Sequence, residues 1–154
     1  MTSSLLQALI AHFDSVFEGP NGDYTAVLET LADVSAAQAA WSPAPGCNSI
    51  GQITDHLTAS KKWQIDMLEK GQADPPVWTE PNGDEKAWQL SIVQLKAAHV
   101  QLKAALARLT DTELLSVPTP EEKQTQLELL LSIAAHEAYH AGQIDYLKGL
   151  QTRT

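Results

Sequence analysis

Apolar residues recur every three or four positions through four stretches of the chain, the spacing of one face of an α-helix. In the first stretch, from Ser3 or Ser4 to about Phe17, a hydroxyl stands at the N-cap and Leu5, Leu6, Leu9, Ile10, Phe13 and Phe17 form the stripe. Residues 18–22, Glu-Gly-Pro-Asn-Gly, end it with two strong turn signals. From Asp23 the run DYTAVLETLADV predicts a short helix. SAAQAAW then predicts a further helical turn running into the stiff loop Ser42-Pro43-Ala44-Pro45-Gly46. Ser49 with Gln52 three residues on has the form of a capping box, and it opens a long second helix that Gly71 closes. The stripe of that helix takes in Ile53, Leu57, Trp63, Met67 and Leu68, and His56 lies on it. An inward imidazole needs a polar partner.

Residues 72–84 are rich in turn formers and predict a long exposed loop of the kind that often covers a site. A third helix follows from about Glu85 to Leu109, with Trp88, Ile92, Leu95, Ala98, Leu102 and Leu106 along one side. Thr110-Asp111-Thr112 breaks it, and Leu114 and Leu115 are expected to pack beneath the turn. Pro118 and Pro120 lead into a fourth helix from about Glu121, where Glu121 and Glu122 suit the positive end of the helix dipole. Four amphipathic helices with connections of unequal length predict an all-α fold, a four-helix bundle, in one domain spanning residues 1–154.

Composition agrees with this and narrows the partners. The chain has 19 acidic and 10 basic residues, a formal net charge of −9, and no cluster of Lys and Arg to grip a phosphate backbone, which argues against nucleic acid. A single cysteine, Cys47, rules out an internal disulfide and fits a reducing compartment. The N-terminal stretch lacks the basic start and unbroken apolar core of a signal peptide, and no window approaches the roughly 18 consecutive apolar residues of a membrane span. The expectation is a cytoplasmic protein without membrane contact.

Chemistry concentrates in the fourth helix. His136 and His140 are four residues apart, so both rings project from one face and can share a metal ion. Glu137 completes H-E-x-x-H, Gln143 returns to the ligand face seven residues after His136, and Tyr139 stands beside it. A reactive zinc-like site takes three protein ligands and a water. His56, inward on the second helix, is the remaining imidazole that can join the pair, whereas His12 and His99 lack metal-ligand spacing. The motif also invites a metallopeptidase reading with Glu137 as general base, but no third ligand of the kind a zincin uses follows it. Glu137 is read instead as a carboxylate supporting a ligand or as a surface residue. Gln143 and Tyr139 are candidates for orienting substrate or water. Cys47 is read as an incidental small residue, with a reactive thiol at the mouth of the site as the alternative. Trp41, Trp63 and Trp88 are read as packing residues, and Trp78 as one that can line a substrate opening.

Two motifs, S-I-G-Q-I-x-x-H-L at the start of the second helix and H-E-A-Y-H-x-G-Q-I in the fourth, resemble those of the DinB/YfiT superfamily of metal-binding four-helix bundles. The resemblance extends over essentially the whole chain, including the W-S-P-x-P-G lead into the second helix. It implies an up-down-down-up bundle, a homodimer whose face the outer positions of the first and third helices can supply, and a divalent ion, nickel or zinc, on three histidines that correspond to His56, His136 and His140. Relatives of that superfamily include bacillithiol- and mycothiol-dependent S-transferases and maleylpyruvate isomerases. The implied function is a metal-dependent transferase that uses a low-molecular-weight thiol as co-substrate and acts on a small electrophile. The alternatives are a non-catalytic, stress-associated protein with a structural metal site, and a metal-dependent hydrolase using the H-E-x-x-H motif.

Overall fold

Side-chain caps decide where the helices begin. The computed structural model describes residues 4–80 and 82–152, so the N-cap expected at Ser3 lies outside the described residues, as does Pro81 in the long loop. Helix α1 covers Ser4–Phe17. Helix α2, Val27–Leu31, starts four residues later than expected, because the Asn21 side chain accepts hydrogen bonds from the amides of Asp23 and Tyr24 and holds them in a turn. Helix α3, Ala36–Ala40, is opened by the capping box of Ser35 and Gln38. Helix α4, Ile50–Lys70, is opened by Ser49 and Gln52 and closed by Gly71, whose φ of 70° is the left-handed conformation that glycine adopts without steric cost. Asp84 caps α5, Glu85–Leu106.

The connection between the third and fourth long helices differs from expectation. Helix α5 ends three residues early, and Thr110 with Glu113 caps a short helix α6, Asp111–Leu114. Leu114 is fully buried, whereas Leu115 is 60% exposed, so only the first of the two leucines packs beneath the turn. Helix α7 spans Gln126–Gln151 and not from Glu121, because Thr125 and Glu128 form a capping box at the later position. Glu128, and not Glu121 or Glu122, therefore meets the helix dipole. Helix α4 also turns a different face inward than its stripe suggests. Ile53 and Leu57 are buried, Trp63, Met67 and Leu68 are only half-buried, and Lys61 and Gln64 are interior.

The four long helices α1, α4, α5 and α7 make up the bundle. No strand occurs among the described residues, and none of their helices is long and apolar enough to cross a membrane. Two apolar clusters form the core. One holds Phe17, Val27, Ile50, Ile53, Leu57, Trp88, Leu95 and Ile144, and the other Leu6, Leu9, Phe13, Leu102, Leu106, Leu114 and Leu130. Helices α1 and α7 run from the second cluster toward the first, and α4 and α5 run the other way. Trp88 fixes the wall of the first cluster by donating its indole N–H to the Val34 carbonyl at 2.7 Å.

Between the clusters lies a polar layer to which every long helix contributes at least one side chain. Lys61 Nζ of α4 donates to Glu137 Oε1 of α7 at 2.5 Å and lies 3.2 Å from His99 Nδ1 of α5. His99 Nε2 meets Asp14 Oδ1 of α1 at 2.9 Å, and Lys103 closes the chain on the same carboxylate at 2.7 Å. Lys61 and Glu137 are each only 1% exposed. Burial pulls the Lys61 ammonium down and pushes the Glu137 carboxyl up, each opposed by the charge of the other. The Phe17 ring stacks on His99 at 4.0 Å and lies 4.5 Å from the Lys61 ammonium, sealing the layer.

Replacing Lys61 by Met leaves the Glu137 carboxyl stranded and is expected to cost about 3–5 kcal/mol in denaturant unfolding. The double replacement Lys61→Met with Glu137→Leu is expected to recover most of that loss, and a single-variant loss near zero would show that the pair carries no weight. A second prediction concerns His99, which burial, aided by the Lys61 charge and opposed by Asp14, holds down at about 4. Since this lies below the unfolded value of about 6.5, protons bind the unfolded chain more tightly. Stability is therefore complete above about pH 6.5 and falls by about 3 kcal/mol as the pH drops toward 4. His99→Gln is expected to remove that part of the pH dependence; an unchanged profile would contradict the assignment.

Candidate metal centre

Helices α4 and α7 bring three imidazoles to one point. On α4, the buried Ile53 and Leu57 anchor the helix and leave His56 half-buried at its edge toward α7. On α7, Ala134, Ala141 and Ile144 are buried and set the helix so that His136 is half-buried and His140 is 5% exposed. The Nε2 atoms converge: His56 Nε2 lies 3.3 Å and His140 Nε2 3.0 Å from His136 Nε2. The three ligand atoms lie within 4.8 Å of one another, a group that can hold a metal ion.

Their surroundings favour lone pairs over protons. His140 Nδ1 lies 2.6 Å from Gln143 Oε1, a pure acceptor, which assigns the ring proton to Nδ1 and leaves the lone pair on Nε2. Burial lowers all three ring pKa values, that of His136 to about 4, with the charge of His140 contributing to the shift at His136 and at His56. The rings are neutral at pH 7, the form that ligates. With metal–nitrogen bonds of about 2.0–2.1 Å, ligand nitrogens stand about 3.3 Å apart in a tetrahedron and about 2.9 Å apart in an octahedron. The two spacings to His136 match that range and the third pair lies within 4.8 Å, so the donor set fits a divalent ion.

Two of the three rings are oriented by side chains beside them. Gln143 holds His140, and Trp78 stacks on His56 with ring centroids 4.1 Å apart and planes 9° from parallel. Two hydrogen bonds tie the Trp78 loop to α4: Gln52 Nε2 donates to the Thr79 carbonyl at 2.7 Å, and Thr79 Oγ1 to Asp55 Oδ2 at 3.1 Å. His136 stands perpendicular to His140 with centroids 4.4 Å apart.

The other candidates fall into different places. Gln143 orients a histidine, and its amide also donates to the Tyr139 hydroxyl at 3.0 Å. Tyr139 is 64% exposed. Glu137 is no surface residue: it turns inward to Lys61, and its position gives a general base no route to solvent. Cys47 is an exposed free thiol. Trp88 is buried and Trp41 packs against the first cluster, while Trp63 is half-buried and His12 exposed. His99, set aside for its spacing, proves to be a buried member of the polar layer. Lys61 is the residue that sequence reading missed, and its place eight residues after Ile53 and four after Leu57, on the buried stripe of α4, is the one signal that marks it. Asp14, Glu18 and His99 also lie within metal-ligand reach of one another. There, however, Lys103 and Lys61 already place ammonium groups on Asp14 and His99, where a cation's charge would stand.

No curated protein and no solved structure matches the chain. A family model does match residues 22–144, a span that contains all three histidines, and by that match the chain belongs to the DinB superfamily.

Proposed function

We propose that His56, His136 and His140 bind one divalent ion, nickel or zinc, through Nε2, and that the protein is a metal-dependent transferase joining a low-molecular-weight thiol to a small electrophile. The observation that carries the reading is the convergence of three neutral imidazole nitrogens from two helices at the spacing one ion requires. An ion held by neutral ligands keeps its full positive charge and favours a thiolate over a thiol at neutral pH.

The chain's own part is to hold the site rigid and leave it open. Gln143 and Trp78 fix two of the rings before any ion arrives, which lowers the cost of binding. Structural zinc sites are closed by four protein ligands, whereas reactive ones keep a free position. Among the described residues the group offers three donors, which favours reactivity over a purely structural role. The stress-associated structural protein is the weaker reading for that reason. The hydrolase reading loses its general base, since the carboxyl of Glu137 is spent on Lys61.

Isothermal titration with nickel or zinc is expected to give one site per chain in the wild type and none in His136→Ala. Gln143→Ala is expected to bind the ion about 10–100-fold more weakly while keeping the stoichiometry. For the reaction itself, metal-loaded protein supplied with bacillithiol and monochlorobimane is expected to form the conjugate faster than His140→Ala. Equal rates with every common thiol would remove the transferase reading and leave metal binding intact.

A further inference from the structure

Beside the histidine cluster, α7 presents a second face that adjoins the ligand face and shares Gln143 with it. Tyr139, Gly142, Gln143 and Tyr146 stand at positions i, i+3, i+4 and i+7, one face of the helix over about 10.5 Å. The two tyrosines are 64% and 70% exposed, and the glycine sits between them. They form one wall of an open cavity of about 600 Å³, with Cys47 and Pro43 on the wall opposite. That volume suits a small organic ligand.

The opposite wall is preformed. Ser42 Oγ donates to the carbonyls of Cys47 and Ala44 at 2.7 and 2.9 Å, and Cys47 N donates to the Ala44 carbonyl at 3.1 Å, so the loop is tied to itself. Gly46, with φ at 83°, makes the turn this requires.

Gly142 is the informative residue. Glycine is the poorest helix former after proline, and here it stands in the interior of a 26-residue helix. No packing demands it, because a Cβ at this position would meet nothing within 4 Å. Gly149 is equally unencumbered, but it lies near the end of α7 and away from the cavity. What glycine provides at position 142 is a gap between two aromatic side chains on the same wall.

The chemistry of the walls selects the occupant. None of the described residues lining the cavity carries a formal charge, although the chain as a whole has a net charge of −9. Two exposed phenol rings with a glycine between them offer stacking surface to a flat ring and no counter-charge to an ion. The cavity also communicates with the histidines. The Tyr139 hydroxyl is bonded to Gln143, and Gln143 to His140, so an occupant touching Tyr139 is two hydrogen bonds from a candidate ligand.

From these observations we infer that the cavity is a binding site for an uncharged, planar aromatic small molecule, with Tyr139 and Tyr146 on one wall and Gly142 between them as the residue that keeps it open. Its use for the electrophile of the transfer reaction rests on the proposed transferase reading. The pocket itself does not.

The test uses a matched pair of fluorescent probes, neutral N-phenyl-1-naphthylamine and anionic 8-anilinonaphthalene-1-sulfonate, on the full chain. The neutral probe is expected to bind saturably, at least about 10-fold tighter than the sulfonate, and to slow alkylation of Cys47, the only cysteine, by iodoacetamide. Gly142→Leu is expected to weaken the neutral probe by at least about 10-fold, with Gly149→Leu unchanged. Gly142→Ala, a smaller change that covers the event of Leu not folding, is expected to weaken the probe while raising Tm by about 2–4 °C. Sulfonate binding as tight as the amine, unaltered binding by both Gly142 variants, or no protection of Cys47 would each overturn the inference. Nickel titrations on the same samples separate the two readings: metal binding without probe binding removes the pocket alone, and probe binding without metal binding removes the metal centre alone.

Discussion

The buried contact between Lys61 and Glu137 is the constraint on which the rest of this architecture depends. Each is a charged group taken almost wholly out of water, and neither is tolerable there without the other. Sliding α4 along α7 by a single helical turn, about 5.4 Å, would strand both. Lys61 lies five residues after His56 on α4, and Glu137 directly follows His136 on α7. The register that satisfies the buried pair is therefore also the register that brings His56 to His136 and His140. An all-leucine interface would hold the same helices together with far less discrimination between neighbouring registers.

The polar layer extends that constraint around the bundle. Asp14 and His99 bring α1 and α5 into the same hydrogen-bonded chain, so all four long helices are pinned at one height, between two apolar clusters that supply most of the burial. Hydrophobic contact is non-directional and decides that the helices pack; hydrogen bonds are directional and decide how. The histidine cluster lies beside this layer, on helices already fixed in register.

At the cluster itself, local chemistry completes what register begins. Desolvation strips protons from the three imidazoles, and Gln143 settles the tautomer of His140. Trp78 arrives from a loop of no regular structure and lies flat on His56, so one of the rings is steadied by a residue whose own position depends on two hydrogen bonds to α4. Gln143 also joins the histidines to the neighbouring cavity through Tyr139. The site thus has one side held by the bundle and another that faces solvent.

Period and capping chemistry are local, and they were legible in the sequence alone. The stripe of α1, the Ser49–Gln52 box, the stop at Gly71 and the four-residue spacing of His136 and His140 all depend on residues within one or two turns of each other. The late start of α7 is legible too, in Thr125 and Glu128, although the prolines upstream point to a start at Glu121. Only tertiary structure decided which way α4 faces, because a lysine reads as a solvent residue until its partner on another helix is known. The same holds for Glu137, whose motif suggests catalysis and whose neighbour 76 residues away turns it to structure. It holds as well for His99 and for Trp78, whose partners are remote in sequence. Local sequence specifies which side chains share a face; the long-range balance between desolvation and pairing specifies what that face meets.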